Sequence, residues 1–285
     1  MDDRLRPLWD FDDLDASWER LQEQLDREGT DEGRAEVLTQ LARVHGLRDA
    51  FEPGDEVIDE ALDLAGGSQV ALARIDLERG RIRRSSGDKE AALPLFQSAF
   101  ARALDAGQYF IAADAAHMAA LAAPDREGFI GWTRRGIELG EEHEDAAYWA
   151  GPLLNNLGWE YFEAGELELA LDAFERALAA RRRDPDNPAA IEIAQYAVGK
   201  ALRAIGRAEE AVPVLEDAVA SATRRGAADG WLHEELAEEY AAVGRVEDAH
   251  VHARLAIPLL TAQDSSLAED RERRDRLDDL AAGPA

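Results

Sequence analysis

A five-point spacing that recurs along the chain constrains its fold more than any other feature. Gly158, Gly165, Ala170, Phe174 and Ala177 are separated by steps of 7, 5, 4 and 3. The same steps run through Gly80, Gly87, Ala92, Phe96 and Ala99, through Gly199, Gly206, Ala211, Leu215 and Ala218, and through Ala237, Gly244, Ala249, Ala253 and Ala256. Two weaker copies fill the gaps. Ala42, Asp49, Gly54, Ile58 and Ala61 carry aspartate where the strong copies carry a turn glycine. Ala116, Ala123, Gly128, Trp132 and Arg135 carry arginine at a point that is otherwise small, with Gly136 beside it as the alternative. The first points lie 38, 36, 42, 41 and 38 residues apart, a period that belongs to stacked-repeat architectures.

Each point has a physical role. Small first and third residues let two antiparallel helices approach closely. The second point is a turn that wants a left-handed backbone, hence glycine. The bulky fourth residue fills the space between the helices, and the small fifth admits the next repeat. One pair cannot bury its apolar face alone, so the pairs must stack. The spacing therefore predicts an all-α solenoid of about six helix pairs. Residues 13–28 have helical apolar spacing at Leu14, Trp18, Leu21 and Leu25 and form a capping helix; 265–281 form a second, highly charged one. Three segments result: an N-terminal segment and cap (1–34), the solenoid (35–263), and a C-terminal cap with a short tail (264–285). Asn187-Pro188 is a helix start, with Asn as N-cap and Pro in the first turn. Pro94 and Pro213, at equivalent places in their repeats, predict a bend or a 3₁₀ start.

Leu154-x-x-Leu157-Gly158-x-x-Tyr161, followed by Ala170-x-x-x-Phe174 and Pro185, resembles the tetratricopeptide-repeat motif, with Leu154 where tryptophan often stands. The resemblance covers roughly residues 35 to 263 and is strongest in the last three repeats and the second. It implies a right-handed superhelix that binds its ligand in a concave groove lined by the first helix of each pair. The family's groove positions lie one residue after, three before and four after the first point. The first set maps to Arg43, Arg81, His117, Trp159, Lys200 and Glu238. The other two include Asn155, Tyr196 and Glu234, and Arg84, Phe162 and Arg203. Five of these eighteen positions are basic (Arg43, Arg81, Arg84, Lys200, Arg203) and two are acidic (Glu234, Glu238), while the whole chain has 32 Lys and Arg against 60 Asp and Glu. A basic-leaning groove in an acidic molecule favours an anionic ligand. Trp159, Tyr196 and Phe162 add flat apolar surface. The resemblance thus implies a non-enzymatic interaction scaffold, holding an acidic or carboxylate-bearing peptide segment of a partner protein.

Charge and composition exclude other classes. A net charge of −28 repels nucleic acid phosphates and anionic lipid. With no cysteine, thiol nucleophiles, Cys-ligated zinc and iron–sulfur clusters are absent. No phosphate-binding, dinucleotide, nucleophile-elbow or H-E-x-x-H motif occurs, and Gly199-Lys200 is followed by alanine; no cofactor and no metal site are implied. The most apolar stretch, 109–123, contains Asp114 and His117 and is too short to span a bilayer. The opening MDDRLRPLWDF lacks the basic start and apolar core of a signal peptide, so the cytoplasm is the expected compartment.

Two other functions remain open on sequence grounds. One is a ligand sensor, in which a peptide or small molecule changes the curvature of the superhelix. The other is an enzyme using His117, one helical step after Asp114, with Glu234 and Glu238 at i,i+4 on one face. The N-terminal LRPLWDFDD joins apolar anchors (Leu8, Trp9, Phe11) to Asp10, Asp12 and Asp13. It is either a cap over the first repeat or a ligand for the groove of its own chain or of a neighbouring one.

Overall fold

The computed structural model describes residues 3–283; the first two residues of the N-terminal segment and the last two of the C-terminal tail lie outside the described residues. Among the described residues there are fourteen α-helices and no strand. The chain divides into two compact units after Leu153.

In the first unit, α1 (Leu14–Arg27) precedes three helix pairs: α2 (Asp31–Leu47) with α3 (Phe51–Leu64), α4 (Gln69–Ser85) with α5 (Lys89–Asp105), and α6 (Tyr109–Ala122) with α7 (Arg126–Glu142). A 3₁₀ segment (Glu144–Trp149) then leads into α8 (Ala150–Glu163). In the second unit, α8 packs on α9 (Leu167–Arg181), α10 (Pro188–Ala204) on α11 (Ala208–Arg224), and α12 (Gly230–Ala242) on α13 (Val246–Gln263). The last helix, α14 (Arg271–Ala282), lies against α13. The described residues therefore hold six pairs between two flanking helices, as the spacing predicts.

The template acts as its chemistry demands. A Cβ at Gly80 or Gly158 would run into the ring of Phe96 or Phe174, and one at Gly199 would lie 2.7 Å from Leu215 Cγ. The first point is small because the fourth point of the same pair occupies its space. The turn at the second point is left-handed at Gly165 (φ +75°) and also at Asp49 (φ +56°), a non-glycine residue that tolerates this region better than most.

The third pair departs from the template. Ala123 is extended (φ −62°, ψ 141°) because Pro124 follows it. The next helix is displaced by one residue, so α7 buries Thr133, Gly136, Ile137 and Gly140, while Arg135 lies outside over the Trp132 ring at 4.4 Å. Gly136 takes the small position: a Cβ there would sit 2.6 Å from Leu153 Cδ1.

Asn187 caps α10 through Oδ1, which accepts the Ala190 N–H at 3.2 Å, with Pro188 in the first turn. Pro94 and Pro213 do not start with 3₁₀ geometry. Each is the sixth residue of a continuous α-helix, where its missing N–H removes a single backbone bond. No helix among the described residues is long and apolar enough to cross a membrane.

Candidate functional site

The residues one position after each first point fall on one face of the first helices, and all six are half-buried. What surrounds them in the first unit is a network of ion pairs. Arg81 donates to Glu78 at 2.7 Å and to Asp114. Burial opposes its charge, but Asp114 and Glu78 more than offset this and hold the guanidinium above its usual pKa. Arg43 lies 3.9 Å from Glu78 and stacks over Trp9 (5.2 Å) and Phe11 (5.4 Å). Arg84 is half-buried, and its Nε has no hydrogen-bond partner among the described residues. His117 packs against the Trp149 ring at 5.4 Å. Burial holds its imidazole below the usual pKa; Asp114 opposes this, and Arg81 and Arg84 add to it.

The N-terminal arm, residues 3–12, lies along this same face. Asp3 accepts both Arg74 Nη groups, at 3.0 and 2.5 Å, and Arg74 Nε donates to Glu36 at 3.2 Å. The Trp9 indole N–H donates to Gln40 at 3.0 Å, and its ring stacks on Phe11. Arg6 lies over Tyr148 at 3.6 Å. Leu5 is buried in the core cluster that contains Leu21, Leu38 and Leu41. The arm is therefore anchored in the core through Leu5 and lies over the helix face of Arg74 and Gln40 through Asp3 and Trp9.

In the second unit, Trp159 meets Phe162 and Phe174 edge-on (5.5 and 5.1 Å) and reaches toward Tyr196, 6.5 Å away. Asn155 Oδ1 is buried without a hydrogen-bond partner among the described residues. Lys200 Nζ donates to the Tyr196 hydroxyl at 3.3 Å and lies 3.6 Å from Glu235. Arg203 donates twice to Glu235, at 2.6 and 3.1 Å, and stands 3.7 Å from Glu239. Burial, reinforced by Glu235, pushes the Glu239 carboxyl up to about 8. The two template acids are engaged by α14: Arg273 donates to both oxygens of Glu234, and Arg276 donates to Glu238 at 2.5 Å. In the constellation of the enzymatic reading, His117 belongs to the first unit while Glu234 and Glu238 belong to the second, each held by an arginine.

One rule connects these pairs, and reading only the family's groove positions misses it. The residue two before the first point is Gln40, Glu78, Asp114 and Glu235 in four of the repeats, each at most 5% exposed. Each carboxylate faces the cation one after the first point of the preceding repeat: Arg43 to Glu78, Arg81 to Asp114, Lys200 to Glu235. The signal was present as cation–acid separations of 33–35 residues, about one repeat. The cations at these positions are thus largely engaged by the next repeat of the same chain.

Two clefts open on the second unit's face. The larger, about 630 Å³, is lined by Ile193, Tyr196, Trp231 and Leu232, with Glu192, Arg225 and Asp229 among its polar residues. The smaller, about 240 Å³, shares Tyr196 and Trp231 and is lined by Lys200, Arg203, Arg273 and Arg276 against Glu234, Glu235 and Glu238.

Comparison with protein families matches residues 151–184 to the tetratricopeptide repeat. Among solved structures, the chain is similar to the apo form of RapI (12% identity, 92% of this chain and 73% of that one, TM-score 0.70). It is also similar to BtubC of P. vanneervenii (17% identity, 79% and 93%, TM-score 0.61) and to aspartyl phosphate phosphatase F of Bacillus subtilis (13% identity, 93% and 72%, TM-score 0.58). These likenesses are of fold. Comparison with curated protein sequences finds no similar one.

Proposed function

We infer that this chain, a tetratricopeptide-repeat protein, is an interaction scaffold whose second unit takes a carboxylate-bearing peptide segment with an apolar anchor. The observation that carries this reading is the junction of the two clefts at Tyr196 and Trp231. On one side, Ile193 is 61% exposed beside an open apolar cleft, which favours burying an apolar side chain there. On the other, four cations stand against three carboxylates in a chain of net charge −28. Lys200 and Arg203 share the single carboxylate of Glu235, so both keep donor capacity for an incoming carboxylate. Residues 35–263 form the binding body in this reading, and 1–34 and 264–285 are its caps.

The test is fluorescence polarisation with a synthetic peptide carrying one leucine or phenylalanine flanked by aspartates, against the same peptide with asparagines. The acidic peptide binds more tightly to wild type, and its affinity falls with salt. Ile193→Asp and Arg203→Gln each weaken it at least about ten-fold. Equal affinity for the two peptides, or affinity unchanged in both variants, defeats the reading.

A further inference from the structure

A further cavity, of about 100 Å³, lies in the first unit, between the N-terminal arm and helices α2, α4 and α6. Trp9 from the arm, Phe110 from α6, and Tyr148 and Trp149 from the 3₁₀ segment give it flat apolar walls. Most of its charged groups are already satisfied: Arg74 by Asp3 and Glu36, and Asp114 by Arg81. Three polar groups are not. The Glu78 side chain is only 2% exposed; Oε1 accepts from Arg81, while Oε2 is buried with no hydrogen-bond partner among the described residues. Arg43 lies beside the stacked Trp9 and Phe11 rings, and its nearest carboxylate oxygen is 3.9 Å away, outside hydrogen-bond range. The Trp149 indole N–H is buried and likewise unpartnered among the described residues.

An orphaned buried acceptor costs free energy, and so does an orphaned donor. Here the three residues that carry these groups, Glu78, Arg43 and Trp149, all line the same small space. The acceptor is a carboxylate oxygen, which suits an ammonium group. The donors are a guanidinium and an indole N–H, which suit a carboxylate. The space is larger than one water molecule needs, and it combines aromatic walls with charged side chains, as a small zwitterion with an apolar side chain requires.

We propose that this cavity binds a free α-amino acid, with its ammonium group on Glu78 Oε2, its carboxylate on Arg43 and the Trp149 N–H, and its side chain against the aromatic walls. The arm supplies Trp9 to the site, so ligand and arm hold each other in place. Burial pushes the Glu78 carboxyl above its usual range, and an ammonium group placed against it restores the charged form.

The experiment is a calorimetric titration of the full chain with each of the twenty common amino acids, in a buffer free of primary amines. It is repeated with two analogues of the best binder, one lacking the ammonium group and one lacking the carboxylate. Saturable binding of the amino acid is expected, with both analogues at least about ten-fold weaker. Glu78→Gln weakens the amino acid about ten-fold or more but leaves the deaminated analogue's affinity unchanged. Trp149→Phe keeps an aromatic wall but loses the indole N–H together with one of the two fused rings, and weakens binding several-fold; it serves if Glu78→Gln does not fold. The proposal is overturned if none of the twenty binds, if an analogue lacking either charge binds as well as the amino acid, or if the folded variants bind like wild type.

Discussion

The two units carry the same template on the same helix face, yet the faces differ in what lies over them. In the first unit the chain's own arm runs across α2, α4 and α6, fixed by the Asp3–Arg74–Glu36 chain and by the Trp9–Gln40 hydrogen bond. In the second, α14 packs on α13 and engages two acids of α12, and a cleft of about 630 Å³ is left beside α10. Position within a repeat decides where a side chain points. Elements outside the repeats, the arm and the terminal helix, decide which of those side chains is left to meet a ligand.

The strongest way to break this contrast is to release the arm. Arg74 is 4% exposed and holds two carboxylates, so Arg74→Ala leaves the buried Asp3 without its paired guanidinium and Glu36 with Arg4 alone. Losing one partner of such a buried network costs about 3–5 kcal/mol, and thermal melting should drop by roughly 10 °C. Arg273→Ala, the corresponding change where α14 meets α12, should cost less because that guanidinium is more exposed (side chain 19% against 5%). Equal losses would mean that the arm is no more tightly held than the terminal helix. Acid provides a second check. Burial tends to raise the Asp3 carboxyl, but Arg74 outweighs it and holds the group below its usual range. Its stabilisation is therefore present above the unfolded-state value and is lost as pH falls through the lower folded-state value. The gap between wild type and Arg74→Ala should close in strong acid.

What the units share can be sharpened with one substitution in each. Gly80→Ala and Gly199→Ala place a methyl against Phe96 and Leu215, contacts too close to accept without repacking. Each should cost about 1–3 kcal/mol, with similar losses in the two units when urea midpoints are compared. Unequal losses would show that the template is not packed alike in both.

These contrasts also show how far the sequence could be read. The pairs, their turns, the Asn187 cap and the role of Gly136 follow from spacing, because each is a local steric requirement repeated every 36 to 42 residues. The one-residue displacement of α7 was foreshadowed by Arg135 at a small position, and Pro124 is its cause. The electrostatics of the face were less legible. Arg81 is read as a groove cation from its place on the helix, but Glu78 and Asp114 come from outside the family's groove positions and absorb it. Arg273 and Arg276 lie in a helix with no template points, so nothing in the repeat announces that they engage Glu234 and Glu238.

A smaller effect separates the units by pH. Glu239 is fully buried, and both its oxygens lack a hydrogen-bond partner among the described residues. Its folded-state value of about 8 lies above the ordinary 4.5, so the native state keeps the proton longer than the unfolded chain does. The second unit is therefore favoured below the unfolded value and loses that stability as pH rises through about 8. Glu239→Gln should raise the melting temperature at pH 8 by roughly 2–4 °C and change little at pH 5. A gain of the same size at both pH values would mean that ionisation is not its source.

The smallest change tests whether the weak first repeat is a strained version of the strong ones. Asp49 holds φ +56° at the point where Gly87, Gly165, Gly206 and Gly244 stand in other repeats. A non-glycine residue in that region carries about 1 kcal/mol of strain, somewhat less for aspartate than for bulkier residues. Replacement by glycine relieves the strain but enlarges the conformational freedom of the unfolded chain, which takes back part of the gain. Asp49→Gly should therefore stabilise by less than about 1 kcal/mol, a rise of roughly 1–3 °C by calorimetry. Gly165→Asp should do the reverse in the second unit by a similar amount. If Asp49→Gly destabilises instead, the Asp49 side chain contributes more to that turn than its backbone strain removes.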